Sequence, residues 1–109
     1  MADEIKVLGQ LAAAATTSET LYTTPTLAQT TVSSIVVCNR TGGALTFRFS
    51  VGIDGEALGD KQYLFYDKSV PANDSFIVVI GLTLAPDDVV RTYASAVGIT
   101  FTMYGVETS

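Results

Sequence analysis

The apolar residues of this chain recur at every second position, and that period decides what it can fold into. In "TFRFSV" (Thr46–Val51), Phe47, Phe49 and Val51 fall on one side of an extended backbone, and Thr46, Arg48 and Ser50 on the other. Strand side chains alternate between faces, so this is a strand with one face buried. "ITFTMYGVE" repeats the pattern, with Ile99, Phe101 and Met103 opposite Thr100, Thr102 and Tyr104. "KQYLFYDKSV" puts Tyr63 and Phe65 opposite Leu64 and Tyr66. "TVSSIVVCNR" is more apolar and suits a central strand; "SFIVVIG" hardly alternates and reads as covered on both faces. "VVRTYAS" is a further strand. No segment sustains a helical period.

Turn chemistry separates these runs. Thr41-Gly42-Gly43 reads as a hairpin turn, because glycine adopts positive φ without a steric cost. "GIDGEALGD" reads as an exposed loop, and "PAND" and "TLAPDD" as turns. About six strands follow one another roughly every 10 to 15 residues, with two weaker ones ahead of them. This predicts an all-β chain, an antiparallel β-sandwich, jelly-roll-like, of about 7–8 strands.

Residues 1–30 differ in character. Of the fifteen threonines, eight lie between Thr16 and Thr31, and β-branched side chains lose rotamer freedom in a helix. The segment is expected to be an extended N-terminal arm with short strands near Ile5–Gln10 and Thr20–Thr23. Either it runs along a neighbouring subunit or it supplies edge strands to its own domain. Residues 31–109 form the sandwich domain.

Composition bounds the function. The chain of 109 residues is 48% apolar and only 16% charged, with a net charge of −5; a typical soluble domain carries about 25% charged residues. So few charges on a small protein point to a surface partly covered in an assembly, or else to a stable β domain with a Thr- and Ser-rich surface. The basic residues Lys6, Arg40, Arg48, Lys61, Lys68 and Arg91 are scattered, so no nucleic-acid partner is expected. No apolar run reaches the ~18 residues of a membrane span, so no membrane partner is expected either. "MADEIKVLGQ" is acidic where a secretory signal is basic, which places synthesis in a reducing cytoplasm.

Candidate chemistry is sparse. There is no histidine, and Cys38 is the sole cysteine. The commonest general base and metal ligand is therefore missing, and neither cofactor nor metal is expected. Cys38 sits among valines and reads as a small core hydrophobe. Asp54, Glu56 and Asp60 do not have helical calcium-loop spacing and read as an exposed acidic loop. Asp87 and Asp88 read as turn residues, with Arg91 as their local ion-pair partner. Arg48 reads as a charge that guards a strand or bridges to another subunit. The five tyrosines read as rims of a β core, or as anchors of an interface or a sugar site. The sequons Asn39-Arg40-Thr41 and Asn73-Asp74-Ser75 read as chance matches.

The blocks "IKVLGQ", "TLYTTP", "TVSSIVVCNRTGGALTFRFSV", "KQYLFYDKSVPANDSF" and "GLTLAPDDVVRTYAS", in that order, resemble a family of small virion structural proteins of tailed bacteriophages, cyanophages among them. The resemblance spans nearly the whole chain and contains no catalytic motif. It implies a β-sandwich in the virus particle and no enzymatic activity. The expected role is a capsid decoration or cement protein that stabilises the shell against internal DNA pressure. Its partners would be the major capsid protein or other virion proteins, and it would be a homo-oligomer, trimer or dimer, located in the virion. A neck, tail, baseplate or fibre-attachment component is the alternative; a carbohydrate-binding adhesion module is the alternative of another class. The residues expected at the interface are Ile5, Val7, Leu8, Leu21, Tyr22 and Arg48.

Overall fold

The computed structural model describes residues 3–109. They form nine strands: β1 Asp3–Ala12, β2 Glu19–Thr23, β3 Gln29–Asn39, β4 Leu45–Gly52, β5 Tyr63–Val70, β6 Ser75–Val78, β7 Leu82–Leu84, β8 Val89–Ala94 and β9 Ile99–Thr108. Short 3₁₀ turns at Ile53–Gly55 and Asp60–Gln62 interrupt the β4–β5 loop, and no α-helix is present among the described residues. Among the described residues no helix is long and apolar enough to cross a membrane.

The strands make two antiparallel sheets. Sheet A has the order β1-β9-β3-β6, with β7 continuing the β6 edge along β3; sheet B has the order β2-β8-β4-β5. The pairing is that of one long hairpin. β1 pairs with β9, β2 with β8, β3 with β6 and β7, and β4 with β5. Rolling this ribbon sets β9 beside β3 and β8 beside β4. The product is a jelly roll, a double-sheet solution in which few strand edges stay open.

The alternation seen in the sequence fills the space between the sheets. Phe47 and Phe49 of β4 meet Ile99, Phe101 and Met103 of β9, all buried, together with Val32, Ile35 and Val37 of β3. Phe47 is the hub, with ring centroids 5.7, 5.8 and 5.9 Å from those of Phe65, Phe76 and Phe101. Such aromatic pairs contribute beyond their buried area. Gly9 sits where β2 crosses β1: a Cβ there would lie 2.5 Å from the Leu21 carbonyl oxygen.

Four expectations change. Thr41-Gly42-Gly43 does not close a hairpin, because β3 and β4 lie in different sheets. It is a crossover, held by Asn39, whose Oδ1 accepts from Thr41 N (2.9 Å) and Thr41 Oγ1 (2.7 Å). Asn39 Nδ2 donates to the Gly43, Val70 and Pro71 carbonyls, so the first sequon asparagine is buried and fully bonded. "SFIVVIG" is an edge strand, not a strand covered on both faces: Ile77 and Val79 are 63% and 76% exposed. Thr83 and Leu84, read as the start of a turn, belong with Leu82 to β7, and the turn begins only at Ala85. Tyr63 and Tyr66 share a face instead of opposing one another, because register shifts on either side of Phe65 add residues to β5, with Asp67 at φ 53°.

Among the described residues of the N-terminal segment 1–30, β1 and β2 are paired within this chain. β1 lies along β9 from Asp3 to Ala12 as the edge of sheet A, and β2 lies along β8 as the edge of sheet B. The accessible surface is 5590 Å², close to the ~5,800 Å² of a compact chain of this mass, so the described N-terminal strands are folded onto the body.

Candidate functional site

Two outer faces remain, and they differ in chemistry. On sheet A, side chains that share a row are set by the register: Ile5, Val106, Thr31 and Thr83; then Val7, Tyr104 and Ser34; then Gln10, Thr102, Val36 and Ile77; then Ala12, Thr100, Cys38 and Ser75. None of these residues is charged. Charge enters only at the ends, where Asp3 accepts from Thr108 Oγ1 (2.8 Å) and Arg40 Nε donates to Thr100 Oγ1 (2.8 Å). The face is uncharged and open, mixing Thr and Ser with apolar side chains, with Ile5 87% exposed and Val7, Ile77 and Tyr104 also exposed. Isolated apolar side chains on a surface are ordinary; here several exposed ones share one sheet face.

The outer face of sheet B is internally bonded. The Arg48 guanidinium carbon lies 4.1 Å from the Tyr66 ring centroid and 4.2 Å from that of Tyr93. Its Nε and Nη2 reach the Asp67 carboxylate at 2.8 and 3.4 Å. These contacts are cation–π stacking combined with an ion pair, and the Asp67 hydrogen bond raises the Arg48 pKa above its ordinary value. The Tyr63 ring stacks edge-on against Tyr66 at 4.9 Å. Arg91 Nη1 donates to the Glu56 carbonyl (2.9 Å) and faces Gln62 Oε1 (3.4 Å). Between these groups lies a small cavity of about 180 Å³, lined by Ser18, Arg48, Ser50, Leu58, Tyr63, Arg91 and Tyr93.

A polar cluster joins the two sheets. Tyr22 of β2 donates to Glu107 Oε2 of β9 (2.5 Å), and its hydroxyl also meets Thr30 Oγ1 of β3 (2.8 Å). Lys6 of β1 donates to Glu107 Oε1 (3.1 Å) and lies 3.6 Å from Glu4. Burial first, and the carboxylate second, push the Tyr22 hydroxyl up to about 12. The Tyr22 hydrogen bond, ahead of Lys6, holds the Glu107 carboxyl below its ordinary range. The hydrogen bond to Glu107 raises the Lys6 pKa.

The expected interface residues are not brought together. Ile5 and Val7 stand on the open face of sheet A. Leu8 is the extra residue where the β1–β9 register shifts, and it packs against the core. Leu21 and Tyr22 are only 8% and 9% exposed and belong to the core of their own chain, so neither can serve as a free contact. Their burial follows from β2 lying over Gly9, which no pattern in "TLYTTP" reveals. Arg48 lies on the opposite sheet and is already paired.

Other readings are corrected as well. Cys38 is half-buried on the outer face of sheet A, not packed inside. Ile35, Val37 and Asn39 take the inner positions of β3, so alternation turns Cys38 outward. Arg91 does not pair with Asp87 or Asp88. Asp87 accepts from Thr26 (2.9 Å), while Asp88 accepts from the backbone N–H groups of Asp54 (2.9 Å) and Ala85 (2.8 Å). Asp54, Glu56 and Asp60 form no cluster able to hold a metal ion, and no such cluster occurs among the described residues. Sequence reasoning missed Gln62, whose buried amide donates to Glu56 Oε1 and the Ala57 carbonyl while its oxygen faces Arg91.

Comparison with family models, with curated proteins and with solved structures finds no match to this chain.

Proposed function

We propose that this protein is a structural component of a virus particle, a capsid decoration or cement protein whose outer face of sheet A lies against a neighbour in the shell. The observation that carries the reading is the uncharged face running from Ile5 to Ile77, on which exposed Ile, Val and Tyr side chains alternate with Thr and Ser. Four strand positions at ~4.8 Å and about ten residues at ~3.3 Å make a face of roughly 650 Å². A standard interface removes about 800 Å² per partner, so this face and its rim supply nearly what stable binding needs. The jelly roll supports the reading by analogy, since capsid domains use it; lectins and cupins use it too, so the fold alone decides nothing.

The mechanism is additive burial. Each copy covers apolar surface that it exposes when free, and many copies on a symmetric lattice multiply that gain. The major capsid protein is the proposed partner, with a closed homo-oligomer as the unit that binds. A neck or tail position uses the same face at lower copy number. The adhesion-module reading gains little from Tyr66 and Tyr93, because the Arg48 guanidinium already stacks on one face of each ring.

The test is the number of copies per purified particle, measured by quantitative mass spectrometry against the major capsid protein. Parity or a simple fraction supports lattice-wide decoration. A handful to a few dozen copies moves the protein to the neck or tail. Absence from particles overturns the reading.

A further inference from the structure

The cavity on sheet B holds a charge that the fold leaves uncompensated. Arg48 is neutralised by Asp67, and Glu56 by Lys61 (3.2 Å). Arg91 has no carboxylate within 4 Å among the described residues, although it is half-buried in a chain of net charge −5. Its Nη1 is anchored by the Glu56 carbonyl and Gln62, which fixes the plane of the guanidinium. A partly buried cation without a counter-charge is costly unless an anion or water completes it.

We infer that this cavity binds a carboxylate, with the Arg91 guanidinium as its principal partner and Tyr63, Tyr93 and Ser50 shaping the space around it. The planar guanidinium fork matches a carboxylate, and a fork held from one side presents its remaining N–H donors in a fixed direction. The volume of about 180 Å³ equals roughly six water molecules at ~30 Å³ each. That is room for a small carboxylic acid or for the end of one acidic side chain. The neighbouring Arg48, though paired, adds donors to the same wall. This inference does not depend on the virion reading.

The experiment titrates ¹⁵N-labelled protein with sodium acetate, against sodium chloride at equal ionic strength, and follows the arginine Nε–Hε signals and the Tyr93 ring by NMR. Saturable shifts of Arg91 and Tyr93 with acetate alone are expected. Arg91→Gln should weaken them roughly tenfold or more, and Arg91→Lys, which keeps charge but loses the fork, by a smaller factor. Should Arg91→Gln fail to fold, the comparison rests on Arg91→Lys. Equal shifts in chloride, or an acetate response unchanged in the variants, overturns the inference. Sedimentation of the same samples identifies the source. Self-association that acetate or Arg91→Gln disperses assigns the carboxylate to a second copy. A monomer that still saturates with acetate assigns it to a free small acid.

Discussion

The two outer faces of the sandwich are built from the same alternation and put to opposite uses. Outward positions on β4 and β8 of sheet B carry Arg48, Arg91 and Tyr93; Arg48 stacks on Tyr93, and Arg91 bonds the β4–β5 loop. Outward positions on β9 and β3 of sheet A carry Thr, Val and Tyr, whose side chains have few partners within the chain. One face is bonded by its own residues, except at Arg91; the other stays exposed in the isolated chain, and the proposed role has a partner cover it. Loss of a side chain on sheet B should therefore be felt by the isolated chain, whereas loss on sheet A should be felt by its partner.

The largest effect tests whether the faces belong to one cooperative unit. Phe47→Ala removes the hub that both sheets share and should cost about 3–5 kcal/mol, in a single urea transition seen equally by fluorescence and circular dichroism. Two separate transitions would mean that the sheets fold independently. A smaller effect concerns the link between them. Tyr22→Phe removes the hydroxyl that donates to Glu107 and should cost about 1.5–3 kcal/mol at neutral pH. The wild type should also lose stability in two pH windows; the variant lacks the alkaline one and keeps only the part of the acid one that Lys6 supports. The Glu107 carboxyl is held low in the folded state, so its contribution is present above the ordinary carboxylate range and is lost as pH falls through the lowered value. The Tyr22 hydroxyl is held high, so its contribution is full below about 10 and is lost as pH rises towards about 12. Thermal melts across pH, wild type against Tyr22→Phe, read both windows; identical profiles would remove the inter-sheet link from the comparison.

The smallest effect on stability sharpens the contrast most. Ile5→Lys with Ile77→Lys should change stability by less than about 1 kcal/mol, the span of strand propensities at exposed sites, yet abolish retention on particles. Arg48→Gln should do the reverse, lowering the melting temperature and leaving retention unchanged. A melting temperature that falls more in the double lysine variant than in Arg48→Gln would invert the assignment of the faces.

Much of this was legible in the sequence. The inward set Phe47, Phe49, Val51, Ile99, Phe101 and Met103 followed from a period of two; all are buried but Val51, which is half-buried against the core. What period cannot carry is a change of parity. The extra residues in β5 put Tyr63 and Tyr66 on one face, and nothing in "YLFYD" announces them. Cys38 was misplaced for a different reason: its apolar character outweighed the alternation that turns it outward. Partners distant in sequence were illegible too. Arg91 is near Asp87 and Asp88 in the chain, but those carboxylates are spent on Thr26 and on backbone N–H groups, while Arg91 crosses to the β4–β5 loop. Neither face could be assigned as the open one without the strand order, which local pattern does not encode.

The rolled ribbon also fixes an order of events in time. β4 and β5 are neighbours in the chain, whereas β1 finds its partner only in β9, with Asp3 opposite Thr108. Loop closure grows costlier with the length enclosed, and folds dominated by distant pairs form in milliseconds to seconds. The ribbon should therefore zip from its β4–β5 end, and pulsed hydrogen exchange should protect Phe49 before Val7; protection in the opposite order would refute this. On the ribosome, the strand that emerges first is the last to be paired. Until β9 is made, Ile5 and Val7 lack the strand they pair with, and in the finished molecule the same side chains still stand uncovered on its outer face.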